Sequence, residues 1–130
     1  MSDQIDQMLA LKNWAVVGLS NNPDRAAFGV AKLLIEKGHT VIPVHPKAES
    51  VHGQTGYAKL SDIPVPVDVV DIFVNSDLAG AVVNEAIEIG AKGVWLQLDV
   101  IDEGAVTRAK DAGLLAVMNH CPAIEYKKRG

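Results

Sequence analysis

Apolar residues along the chain switch between two periods. Phe28, Ala31, Leu34 and Ile35 share one helical face, and Leu78, Val82, Val83, Ala86 and Ile89 share another. Ala105, Val106, Ala109 and Ala112 form a weaker third stripe, and Ile5, Met8 and Leu9 predict an opening helix over 3–11. The three later stretches end in Gly38, Gly90 and Gly113, each followed within a few residues by a β-branched or aliphatic run. Five such runs read as strands, over 14–18, 40–44, 68–74, 93–98 and 115–118. They are almost continuously apolar, which predicts a sheet covered on both faces. Strands alternating with helices predict right-handed βαβ units and a parallel sheet. Residues 45–67, rich in glycine, proline and polar side chains, take the place of one crossover helix and predict a loop with a short turn near Ser61–Ile63. The expected architecture is α/β: one domain over 1–130, a three-layer Rossmann-like fold with a five-stranded parallel sheet.

Composition narrows the function without choosing it. Apolar residues make up 48 % of the 130, charged residues 22 %, and the net charge is −4, a balance that gives no reason to expect nucleic acid as a partner. No run approaches a membrane span, and MSDQIDQMLALK lacks the features of a secretory signal. A single cysteine fits the reducing cytoplasm. His39 and His52 lack neighbours at ligand spacing, so no metal site is expected.

Ligands of open parallel sheets bind beyond the carboxyl ends of the strands, where strand order reverses. The segments due there are Leu19–Arg25, His45-Pro46-Lys47, Asn75-Ser76, Gln97–Asp99 and Asn119-His120-Cys121. "AVVGLSNNPDRAAFG" starts as a dinucleotide-binding turn does, yet after Gly18 the next two glycines of that fingerprint are missing. Backbone N–H groups after Gly18, the Ser20 hydroxyl and the Arg25 guanidinium can grip a phosphate at the start of the next helix. Equally, Asn21-Asn22-Pro23-Asp24 reads as a solvated turn and Arg25 as a surface charge. After the second strand an NAD site wants an acid, whereas this chain has His45 and Lys47, which suit a ribose phosphate as in NADP or coenzyme A.

The blocks "VVGLSNNPDRAAFGVAKLLIEKGHTVIPVHPK", "VDVVDIFV", "GAKGVWLQLDVIDE" and "MNHCPAIEY" resemble, in order and spacing from about Trp14 to Tyr126, the small stand-alone coenzyme A-binding domain family. That family is similar to the N-terminal domain of the succinyl-CoA ligase alpha subunit. The resemblance implies coenzyme A or an acyl-CoA as ligand. It would place Gly18, Leu19, Ser20 and Arg25 at the pyrophosphate, with Phe28 on the following helix, and Lys47 with His45 near the adenosine phosphate. Val74 and Asn75 would flank the adenine or pantetheine path, and Trp95 and Gln97 would line the sheet edge farther along. Two positions depart from the family's habit: His45 stands where asparagine is frequent, and His120 where arginine is.

In the ligase, as the resemblance has it, this domain holds the coenzyme while the phosphorylated histidine belongs to another. The only catalytic candidate left here is Cys121 with His120, weighed against a buried structural cysteine. Asp68 and Asp71 fall on opposite faces of a strand and form no dyad, Asp71 being expected near the ligand end or bonded to backbone. The tail "KKRG" is expected to be a frayed, solvated end. Three functions remain open: a coenzyme A-binding module, a small NADP-linked oxidoreductase, and a subunit that completes an acyl-CoA ligase or transferase site with a partner chain. A homo-oligomer is a further expectation.

Overall fold

The computed structural model describes residues 3–129. Its elements are α1 (Asp3–Leu9), β1 (Asn13–Val17), α2 (Ala26–Glu36), β2 (Thr40–Val44), β3 (Val69–Ile72), α3 (Ser76–Glu88), β4 (Gly93–Leu96), α4 (Glu103–Asp111), β5 (Leu115–Val117) and α5 (Pro122–Arg129). A single 3₁₀ turn over Leu60–Asp62 interrupts the long segment between β2 and β3, one residue from the expected turn. The strands are all parallel in the order β2-β1-β3-β4-β5. The order reverses between β1 and β3, so the switch point lies over their carboxyl ends.

Alternation along each strand sends side chains to two separate cores. Ala15, Val17, Val70, Ile72, Val94 and Leu96 pack under α3 and α4, whose contacts are Ala79, Val83, Ala86, Ala105 and Ala109. Small residues at these helix positions let the helices sit close to the sheet. On the other face Trp14, Val16, Val69 and Trp95 pack against α1, α2 and α5, with Met8, Ala31 and Leu34 filling between them. The Trp14 and Trp95 rings meet at 5.5 Å between centroids, in the tilted geometry aromatic pairs favour. Pro43 is tolerated in β2 because β2 is an edge strand. Its carbonyl still accepts from the Tyr57 N–H at 3.0 Å, which ties the long loop to that edge.

Two expectations need correction, and a third is met in an unusual way. The tail is not frayed: Lys127, Lys128 and Arg129 form the last turn of α5, and Arg129 holds Asp6 and Glu125 at 2.7 and 2.8 Å; Gly130 falls outside the described residues. A Pro at the first helical position, Pro122, was the available signal for this helix, whose polar composition hides it from periodicity. Leu78 is not core but 56 % exposed, because α3 carries two apolar stripes and only Ala79, Val83 and Ala86 face the sheet. Asp71 lies one residue from the carboxyl end of β3, near the ligand end as expected, and its carboxylate is not bonded to backbone. It sits inside β3 between Val16 and Trp95 in register, fully buried, with no partner for either carboxylate oxygen among the described residues.

Candidate functional site at the strand-order switch

A cleft of about 530 Å³, within the range of small-molecule sites, opens over the carboxyl ends of β1, β2 and β3. Its floor is Val17, Gly18, Val44, Phe73 and Val74; Arg25, His45 and Lys59 stand on one side. The other wall is α3, through Leu78, Ala81, Val82 and Glu85. The spacing of these four (i, i+3, i+4, i+7) defines one helical face, adjacent to the face that packs on the sheet.

Gly18 makes the opening. Its φ is +97°, and a Cβ there would lie 3.3 Å from the backbone carbon and oxygen of Phe73, while its own N–H donates to the Val44 carbonyl at 2.8 Å. Only glycine accommodates that conformation together with so close an approach to the Phe73 backbone. Beyond it, the N–H groups of Leu19 and Ser20 have no acceptor among the described residues. The turn itself is ordered: Asn22 N–H donates to the Ser20 hydroxyl at 3.4 Å, Asp24 N–H to the Asn22 side chain at 3.0 Å, and Asn21 ties it to the Ser50 carbonyl at 2.9 Å.

That turn delivers Arg25 to the N-cap position of α2. Arginine has no acceptor with which to cap, no side chain caps the helix, and its first turn holds no acid. The helix therefore presents its free N–H groups and positive dipole end beside a guanidinium that has no partner among the described residues. The chemistry of this donor set suits an anion. His45 contributes a directed donor: the Lys47 N–H donates to its Nδ1 at 3.2 Å, so Nε2 carries the proton in the neutral ring.

Of the residues expected at a ligand, the structure brings Gly18, Arg25, His45, Val74 and Asn75 to the cleft. Ser20 lies in the turn above it and Lys47 is exposed beyond it; neither lines it. The Leu19 side chain is buried in the core, leaving only its N–H available. Phe28 packs instead on the His52 ring at 4.3 Å, and the His52 Nε2–H donates to the Phe28 carbonyl at 2.8 Å. Trp95 cannot line a ligand path: it is fully buried, because strand alternation turns it into the α2/α5 core, where its Nε1–H donates to the His120 carbonyl at 2.9 Å. Gln97 does sit at the rim, after β4, with its Oε1 buried and unpartnered. Lys59 and the α3 wall went unforeseen. Apolar residues lining a cleft look like core in a periodicity, and Lys59 reaches the site through a loop that has none.

Cys121 is 7 % exposed in the core beside α5, and the His120 ring turns to Glu125 instead of to the thiol. The Cys121–His120 pair, weighed as a catalytic candidate against a structural cysteine, is therefore not assembled, and the cysteine is buried as the structural reading has it. Among the described residues no three His, Cys, Asp or Glu side chains are placed to hold a metal ion, and no helix is long and apolar enough to cross a membrane.

A parallel α/β sheet of this order, with an anion-ready helix start over the switch point, defines a Rossmann-like nucleotide-binding domain. Sequence comparison specifies it further: the model of the CoA binding domain matches residues 12–127, and the chain belongs to that family. It is similar to uncharacterized protein YneT of Bacillus subtilis (strain 168), 34 % identical over 115 residues that span 88 % of this chain and 85 % of YneT. A hypothetical protein from Pyrococcus horikoshii OT3 superposes with a TM-score of 0.92 at 39 % identity, over 98 % of this chain and 89 % of that one. The dinucleotide forming acetyl-coenzyme A synthetase 1 of Ca. Korarchaeum cryptofilum, in complex with phosphate and ADP, superposes with a TM-score of 0.75 at 26 % identity. That match covers 87 % of this chain and 26 % of the synthetase.

Proposed function

We propose that this chain, as a single domain, binds coenzyme A or an acyl-CoA in the switch-point cleft and presents it to a partner, without a bond-making centre of its own. The observation that carries this is the uncapped start of α2 with Arg25 on it, beside a glycine that opens the floor of the cleft. The pyrophosphate would take the N–H groups of Leu19 and Ser20 and the Arg25 guanidinium. The apolar α3 wall suits an adenine or pantetheine face, and His45 with Lys59 suits the ribose phosphate. Family membership supports the same ligand. The synthetase match supports the partner, since there a domain of this shape is one part of a chain about four times longer. A lone core cysteine suits work in the reducing cytoplasm.

Thermal shift on nucleotide-stripped protein tests this with four ligands: coenzyme A, 3′-dephospho-coenzyme A, NAD and NADP. At a hundredfold over its Kd, a ligand stabilises the fold by about 2.7 kcal/mol, or about 6–12 °C for a domain of this size. Selective stabilisation by coenzyme A, weakened when the 3′-phosphate is absent, is the expected outcome. Preference for NADP would move the protein to the oxidoreductases instead.

A further inference from the structure

At the far end of the same rim, β5 lies two strand spacings, about 10 Å, from β3. There the His120 N–H donates to the Leu96 carbonyl at 3.3 Å, fixing the residue over the ends of β4 and β5. Its ring Nδ1 lies 3.3 Å from Glu125 Oε2. Glu125 is a buried carboxylate, its side chain 6 % exposed, that also accepts from Arg129 Nη1 at 2.8 Å and faces Lys128 Nζ at 3.6 Å. Burial alone would raise the Glu125 carboxyl. The hydrogen bonds from Arg129 and His120 and the Lys128 charge outweigh it and hold Glu125 below the usual value, so it stays ionised.

An ionised carboxylate only accepts, so His120 must donate from Nδ1, which leaves Nε2 as the lone-pair nitrogen. Nε2 has no partner among the described residues, and the side chain is 42 % exposed. A histidine oriented by a buried acid, with its free nitrogen at a ligand rim, is the arrangement of a general base. Between it and the cleft stands Gln97, 6 % exposed, its Oε1 buried with no donor.

We propose that His120 Nε2 is the base for the thiol that terminates the bound coenzyme, with Glu125 as its positioning residue. The step is a single proton transfer: the S–H bond breaks, its electron pair stays on sulfur as thiolate, and the proton joins Nε2 to give an imidazolium held by Glu125. This rests on coenzyme A occupying the cleft, and it adds chemistry to that reading, since the domain then hands over an activated nucleophile instead of a thiol.

The test is the rate at which bound coenzyme A is alkylated by iodoacetamide, with carbamidomethyl-coenzyme A counted by mass so that Cys121 does not interfere. Each protein is used at a concentration that saturates the ligand, with calorimetry run beside it. A free thiol titrating near 8.5 is only a few per cent thiolate at pH 7. In the native complex the rate at pH 7 should exceed that of free coenzyme A by about tenfold, its pH profile shifted toward the acid side. His120→Gln should return rate and profile to those of the free ligand, and Glu125→Gln should remove part of the shift. If coenzyme A gives no binding heat, the cleft assignment falls and the base with it. If the heat is present but the native rate equals the free rate, or His120→Gln leaves it unchanged, the base alone is overturned.

Discussion

Over β1 and β3 the carboxyl edge of the sheet ends, among the described residues, in N–H groups without acceptors, a helix without a side-chain cap and an arginine without an acid. Over β4 and β5 the same edge is stitched shut. The Ser76 hydroxyl donates to the Asp99 carbonyl at 3.3 Å and accepts from the Ile101 N–H at 2.9 Å; the Asp99 N–H donates to the Asn119 side chain at 2.8 Å. Asp99 and Asn119 hold φ of 68° and 62°, a conformation that Asp and Asn tolerate better than most non-glycine residues. The β4–β5 half of the rim thus ties its loops together internally, Gln97 Oε1 and His120 Nε2 excepted, while the β1–β3 half leaves its backbone donors and Arg25 unpartnered among the described residues. In a chain of net charge −4, any anion binding would have to come from such a local arrangement and not from overall charge.

The largest effect separating the halves should come from Gly18→Val. The substituted residue must hold φ near +97° and push a side chain against Phe73, so a loss of about 2–3 kcal/mol in urea denaturation and loss of coenzyme binding are expected together. Arg25→Ala should separate them. Calorimetry should show coenzyme A affinity falling about 10- to 100-fold, the range of a charged hydrogen-bonding pair, while the melting curve of the free protein stays in place. Ser76→Ala should do the reverse on the stitched half. It removes two hydrogen bonds that fix the β4–α4 loop, at a cost of about 1 kcal/mol in stability, read from the denaturation midpoint.

A pH effect is set by Asp71. Burial pushes its carboxyl well above the usual range, so the folded state keeps a proton that the unfolded state gives up near 3.8. The neutral acid's contribution is complete below that value and is lost as pH rises toward the folded pKa, so stability should fall with increasing pH over that interval. Asp71→Asn, neutral throughout, should flatten the slope in melts taken from pH 5 to pH 8.

Legibility in the sequence followed the same division. The parallel sheet and its two covered faces were readable because buried parallel strands are continuously apolar, and β2 matches its expected range of 40–44. Gly18, Arg25, His45 and Asn75 were readable because turn chemistry and the strand-end rule place them, and Val74 came from the family resemblance. Trp95 was misplaced by resemblance, since one step of strand alternation decides between rim and core. The α3 wall was hidden because apolar cleft residues imitate core, and Glu125 because it becomes significant only once α5 folds back on His120.

The most direct test of the switch-point cleft as the ligand site is a ¹⁵N amide shift map of the 13.8 kDa protein titrated with coenzyme A. Perturbations should concentrate on Gly18–Arg25, Val44–His45 and Val74–Leu78, spreading along the rim toward Gln97. Shifts confined to another surface, such as the groove between α2 and α5 lined by Leu33, Lys37 and Tyr126, or no shifts at all, would contradict it.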